Sequence, residues 1–158
     1  MGDERRNSQL TGVAGVHFVT SRLNFLGYHA VPTSRNVQGP DVLVSNLKGS
    51  KSITIQVKTT NWSVRTRGRG DAKKPDHHEW DIGWSSATIN DPHLFFALVD
   101  LRGFEELPYV FLVPSRIIFR YFKGGDPKSW RRARYHPSVR TMQRYRDNWD
   151  MLAEALDD

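Results

Sequence analysis

Gly39–Thr60 reads GPDVLVSNLKGSKSITIQVKTT. It predicts two β-strands joined by a turn at Leu47 to Lys51. Val42, Leu43 and Val44 form the first strand, and Ile53, Ile55 and Val57 are the apolar positions of the second. Strand side chains alternate between two faces, so Thr54, Gln56 and Lys58 share the face opposite the apolar set. With the turn centred on Lys48 and Gly49, Asp41 lies across from Gln56 or Val57. A carboxylate, an amide and an ammonium then converge at one edge of a small sheet.

Outward from this hairpin, Leu10, Val13, Ala14, His17, Phe18, Ser21 and Phe25 recur at helical spacing. They predict a helix from about Gln9 to Leu26, stopped by Gly27. Gly12 and Gly15 weaken its propensity and suit close packing on the sheet. Residues 1–8 are expected to be a disordered start, and residues 28–33 a short first strand. His93 to Leu101 (HLFFALVDL) and Pro108 to Pro114 (PYVFLVP) are apolar runs of strand length, predicting a second hairpin. Ser115 to Phe122 reads as a short helix or a strand continuation. Met142, Tyr145, Trp149, Leu152 and Leu156 predict one amphipathic helix over 138–157, with Ser138 as its N-cap. Residues 61–78, polar and rich in glycine, are expected to be a mobile basic loop. The length of 158 residues favours a single domain.

Pro40-Asp41 followed by Gln56-Val57-Lys58 resembles the PD-(D/E)xK nuclease superfamily, in the variant with glutamine at the middle acidic position. The preceding helix, the Gly27-Tyr28 turn and the loop into Gly39-Pro40-Asp41 fit the same pattern, so the resemblance covers about residues 10–122. It implies an α/β fold with a restriction-endonuclease-like core, a central mixed sheet of about four strands flanked by α-helices. It also implies hydrolysis of DNA phosphodiesters with Mg²⁺, or Mn²⁺ in its place. Asp41, the Gln56 side-chain oxygen and the Val57 carbonyl would be the metal ligands. Lys58 would orient or deprotonate the attacking water. Family members often carry a glutamate on the first helix in a G-x-x-G-E pattern, and here Val16 stands at that position. Glu79 or Asp81 could supply the missing charge. The alternative is an inactive member of the same fold, kept to bind nucleic acid or a protein partner.

Charge distribution agrees with a phosphate-rich partner. The net charge is +6 and the isoelectric point about 9.8. Arg65, Arg67, Arg69, Lys73 and Lys74 cluster in one segment, and Arg131, Arg132 and Arg134 lie in another that runs from Arg120 to Arg146. Such clusters are the footprint of a nucleic-acid backbone partner. Cutting both strands takes two active sites, which makes a homodimer an expectation.

Other features carry less. His77-His78-Glu79 and Asp81 have metal-binding letters without the i, i+4 spacing of a helical zinc site. Trp62, Trp80 and Trp84 flank the basic segment and could stack on bases or fill the core. No P-loop is present, so ATP use has no support. There are no cysteines, no apolar run of membrane length and no secretory signal, from which a cytoplasmic location without membrane insertion is expected.

Overall fold

The computed structural model describes residues 8–34 and 38–157. Helix α1 (Ser8–Phe25) leads into strand β1 (His29–Pro32), then β2 (Val42–Ser45) and β3 (Ser52–Thr60). A second hairpin follows, β4 (Val64–Arg67) and β5 (Lys74–His78), then the short β6 (Trp80–Asp81) and α2 (Trp84–Ala87). Strands β7 (Leu94–Asp100) and β8 (Tyr109–Pro114) precede α3 (Ser115–Phe122), β9 (Arg134–Tyr135), α4 (Val139–Met142) and α5 (Asp150–Leu156).

The central sheet is mixed, with five strands in the order β1-β2-β3-β7-β8. β3 runs parallel to β7, and the other neighbours are antiparallel. The fifth strand, beyond the four expected from the resemblance, is the short β1 on the edge of β2. All seven residues of β7 are buried, because a core lies on each face of the sheet. Ile53, Ile55, Val57, Phe95, Ala97 and Val99 face α1 and α5 on one side. Phe96, Leu98, Phe111 and Val113 face Trp80, Ile82 and α3 on the other. A strand covered on both faces reads as a continuous apolar run, which is why β7 was legible.

The first helix forms where expected but turns a different face to the sheet. Its buried residues are Thr11, Gly15, Val19, Thr20 and Leu23, while Leu10 and Phe25 are exposed. The cause is close approach: a Cβ at Gly15 would collide with Thr59 Oγ1. The helix sits so near β3 that a small residue is needed there, and that requirement outweighs apolar spacing.

The predicted C-terminal helix is broken. α4 passes into a 3-10 turn at Gln143–Tyr145, and α5 starts only at Asp150. Between them Arg146 bridges Phe111, Asp147 N–H donates to Val110 O (2.7 Å), and Asp147 Oδ1 accepts from Val110 N (3.2 Å). The segment thus satisfies backbone groups on the edge of β8, with Asp147 at φ 50°. The break also divides the apolar stripe. Met142 and Tyr145 enter the core on the α3 face, and Trp149, Leu152 and Leu156 enter the core on the α1 face. A continuous helix could not serve both faces. The Ser138 cap forms, with Oγ accepting from Thr141 N at 3.1 Å.

The stretch 61–78, expected as a mobile loop, is instead the β4–β5 hairpin. Gly68 (φ 106°) and Gly70 (φ 53°) lie at its tip and make the reversal. Composition marked a turn, and the two arms were hidden by their polarity. Of the start expected to be disordered, residues 1–7 lie outside the described residues, and Ser8 already belongs to α1. Among the described residues no helix is long and apolar enough to cross a membrane.

Candidate active site

β3 is nine residues long and β2 only four. Register Val42↔Ile55 therefore leaves the C-terminal half of β3 without a partner on the β2 side. Odd-numbered residues of β3 present their backbone groups to that side, since Ile55 O accepts from Asp41 N at 2.9 Å. Even-numbered residues turn to β7, since Thr54 N donates to His93 O at 2.9 Å. The next odd residue, Val57, would have an orphan N–H. Asp41 Oδ2 accepts it at 2.7 Å, and accepts Gln56 Nε2 at 2.6 Å. One carboxylate oxygen thus caps the sheet edge and holds the glutamine amide. Val57 C=O points to the same open edge by strand alternation. Asp41 is itself fixed by Thr33 N, which donates to its carbonyl at 2.9 Å.

Lys58 extends from the same sheet face as Gln56, the face of the Trp80–Ile82 core. It is half-buried rather than part of a solvent face. Gly83 (φ 76°) lies over it, a Cβ there being 4.0 Å from Lys58 Nζ. Burial lowers the Lys58 pKa from the ordinary lysine value, and the carboxylates of Asp41 and, to a smaller extent, Asp81 act against that shift. Asp81 therefore lies within electrostatic reach of Lys58. Its Oδ1 accepts from Gly83 N (3.2 Å), and its Oδ2 is 3.7 Å from Arg132 Nη1.

Glu79, the other acid considered for this site, is engaged elsewhere, by Arg65, Arg134 and His136. Val16, at the position where the sequence resemblance expects a helix glutamate, packs against the α1-side core. Among the described residues no group of three His, Cys, Asp or Glu side chains could hold a metal ion. The oxygen-bearing groups on this edge are the Asp41 carboxylate, the Gln56 amide and the Val57 carbonyl. They are hard donors of the kind Mg²⁺ takes, with a single formal negative charge.

The basic residues fall into two groups. Arg67, Arg69, Lys73 and Lys74 are exposed toward the tip of the β4–β5 hairpin. Arg65 at its base and Arg134 on β9 meet at Glu79. Arg131, Arg132 and Arg134 line a cavity of about 410 Å³. The β6–β9 ladder pairs Arg134 with Asp81, the acid that acts electrostatically on Lys58. Trp80 is core, while Trp62 is exposed. Trp130, which sequence reading passed over, is also exposed and packs against Trp84.

A second polar cluster was not legible at all, because its members are far apart in sequence. Ser63 Oγ lies 2.5 Å from Asp100 Oδ2 and 2.7 Å from His78 Nδ1, and all three residues are buried. The Ser63 hydroxyl donates its one proton to Asp100, so His78 Nδ1–H donates to Ser63. The acid thus contacts serine rather than histidine, and the imidazole nitrogen facing serine carries a proton. This arrangement cannot activate the hydroxyl as a nucleophile. It pins the β4–β5 hairpin to the end of β7, and Asp100 also accepts from Ser63 N (3.1 Å) and Arg102 N (2.9 Å).

No protein-family model and no curated protein matches the chain. Among solved structures, the fold is similar to that of a bacterial homing endonuclease, I-Ssp6803I, with a TM-score of 0.58 over 94% of this chain and 92% of that one. Identity is 13%, so the likeness is one of fold.

Proposed function

We propose that this chain is a metal-dependent endonuclease acting on DNA, of the PD-(D/E)xK type with glutamine at the middle acidic position. The observation that carries this reading is the clasp of Asp41 Oδ2 by Gln56 Nε2 (2.6 Å) and Val57 N (2.7 Å), with half-buried Lys58 beside it. Support comes from the fold, which is like that of a protein described as a homing endonuclease, and from the exposed cationic residues of the β4–β5 hairpin together with Arg131, Arg132 and Arg134.

Asp41, the Gln56 amide oxygen and the Val57 carbonyl would hold Mg²⁺, or Mn²⁺ in its place. When bound, the metal supplies an acidified water and offsets charge on the phosphoryl oxygens. The residues do the rest. The two donors on Asp41 fix its carboxylate, so the site needs little rearrangement on binding. The Gln56 nitrogen is committed to Asp41, which leaves its oxygen as the donor to a cation. Desolvated Lys58 holds its proton less tightly than a surface lysine. It can orient the attacking water and offset negative charge on the phosphate. Arg65, Arg67, Arg69, Lys73, Lys74, Arg131, Arg132 and Arg134 would track the DNA backbone, and a second copy would supply the second cut.

One observation favours the alternative of a binding module without catalysis. Among the described residues no group of three His, Cys, Asp or Glu side chains gathers to hold a metal, and Asp81 is shared with Arg132. A cleavage assay separates the two. Single-stranded, duplex and branched DNA are incubated with Mg²⁺ or Mn²⁺, beside an Asp41→Asn control. Metal-dependent cleavage lost in the control establishes the nuclease. Intact DNA that still binds the protein establishes the binding module.

A further inference from the structure

Glu79 is the hub of a cationic cluster drawn from distant parts of the chain. Its Oε1 lies 3.6 Å from Arg65 Nη2 and 3.5 Å from Arg134 Nη1, and its Oε2 lies 3.4 Å from His136 Nε2. These separations exceed those of well-formed hydrogen bonds, so the pairs are loose. Arg65 Nη1 also donates to Trp62 O (2.8 Å) and Val64 O (3.4 Å), and with five N–H donors on each guanidinium both Arg65 and Arg134 keep donors for a further acceptor. The three cationic side chains are 42%, 46% and 43% exposed, whereas Glu79 is 23% exposed. The cations face solvent, and the anion sits beneath them. Two guanidiniums and an imidazole converging on one oxyanion match the donor set that holds a phosphate.

Position gives the cluster a role. Glu79 precedes Asp81 by two residues, so the two lie about 7 Å apart along extended chain. That is roughly two base-pair steps of duplex. The cluster would meet a backbone phosphate near the one held at Lys58, not the same one.

We propose that Arg65, Arg134 and His136 form a second backbone-phosphate subsite, in which Glu79 is an internal counter-ion that the DNA phosphate displaces. This rests on the reading of the chain as a DNA-binding protein. Glu79 would keep the empty surface from self-repulsion and would weaken binding to any polyanion. His136 faces Glu79, His77, Arg65, Arg134 and the Tyr121 hydroxyl, and Asp76 in turn contacts His77. Burial and the neighbouring cations favour its neutral form, with Glu79 acting in the opposite direction. A backbone phosphodiester adds one negative charge to a cluster that still contains Glu79, so His136 would take up a proton as DNA binds.

The test is fluorescence anisotropy of a labelled duplex without divalent metal, at about 0.1 M salt, where surface electrostatics remain visible. Glu79→Gln should bind about three- to tenfold tighter than the unmodified protein, and Arg65→Ala or Arg134→Ala weaker by a similar factor. Glu154→Gln, which removes the same charge from the exposed face of α5, should change affinity less than twofold. Binding by the unmodified protein should strengthen from pH 7.5 to 5.5 more than binding by His136→Asn does. If Glu79 merely stitches the hairpin to β9, Glu79→Gln will bind equally or more weakly and melt lower. That result, or identical pH profiles for His136→Asn and the unmodified protein, overturns the subsite and leaves the nuclease reading intact. Displacement of duplex by inorganic phosphate at matched ionic strength would make it a free-phosphate site and equally overturn the assignment. No duplex binding by the unmodified protein overturns both readings.

Discussion

Asp41 and Asp100 are both carboxylates at strand ends of the same sheet, and both accept N–H donors, yet their surroundings differ. Asp100 is 3% exposed and accepts Ser63 N, Ser63 Oγ and Arg102 N through its two oxygens. It is sealed, and its bonds go to making the hairpin and the β7 end one body. Asp41 accepts Gln56 Nε2 and Val57 N on one oxygen and remains half-buried at an open edge, with a desolvated lysine at hand. A saturated buried acid stabilises; an acid at a half-buried edge beside a desolvated lysine suits the proposed chemistry. Function follows from what surrounds the residue rather than from its identity.

The largest effect expected from this contrast is on catalysis. Asp41→Asn and Lys58→Ala should each reduce cleavage by roughly 10²–10⁴-fold while leaving duplex affinity within about twofold. Single-turnover cleavage and anisotropy on the same preparations measure the two quantities. Cleavage surviving Asp41→Asn would remove the difference between the two acids.

Next is the sealed cluster. Asp100→Ala strips three donors, Ser63 N, Ser63 Oγ and Arg102 N, of their acceptor inside the fold, and should cost about 3–5 kcal/mol of stability. Denaturant unfolding measures it. A loss below about 1 kcal/mol would mean that water reaches the site and that the two acids differ less than their burial implies.

The third effect depends on pH. Burial lowers the His78 pKa below its ordinary 6.5, against the pull of Asp100 and with a small push from His77. The unfolded chain therefore takes up this proton before the folded one does. Stability from neutral His78 is fully present above about pH 6.5 and falls as pH drops from there to the folded-state pKa. The slope is at most about 1.4 kcal/mol per pH unit for one proton. Thermal midpoints of the unmodified protein and His78→Asn should converge as pH falls through this window. Parallel curves would show that His78 takes up its proton in the fold as readily as in the unfolded chain, and that burial does not set its charge.

The contrast explains what was legible in the sequence. Asp41, Gln56 and Lys58 could be read because a turn and strand alternation fix their relation within 18 residues. The β7 run was legible because both its faces are buried. Ser63, His78 and Asp100 were not, because three separate segments must fold before they meet. The same holds for Glu79 and His136, joined only once β9 pairs with β6. The hydrophobic pattern of α1 pointed to the wrong face, because the sheet demands a glycine at position 15 and chain-local spacing carries no record of Thr59. The break near Asp147 was hidden for a similar reason, since it answers to the edge of β8.

The smallest effect tests the lysine itself. Lys58 is held where burial penalises its charged form, and Asp41 and Asp81 offset that penalty only in part. A residue kept there for stability would not be an ammonium. Methionine has similar length and no charge to desolvate, so Lys58→Met should raise stability by about 1 kcal/mol at neutral pH while abolishing cleavage. The gain stays small because Asp41 loses a favourable neighbour when the ammonium goes. Unfolding at pH 7 and the cleavage assay on one preparation give both readouts. A gain in stability with loss of cleavage identifies a strained functional group. A loss of stability instead would make Lys58 a structural partner of the two carboxylates, and Asp41 would then belong with Asp100 as an acid that holds the fold rather than one that works at its edge.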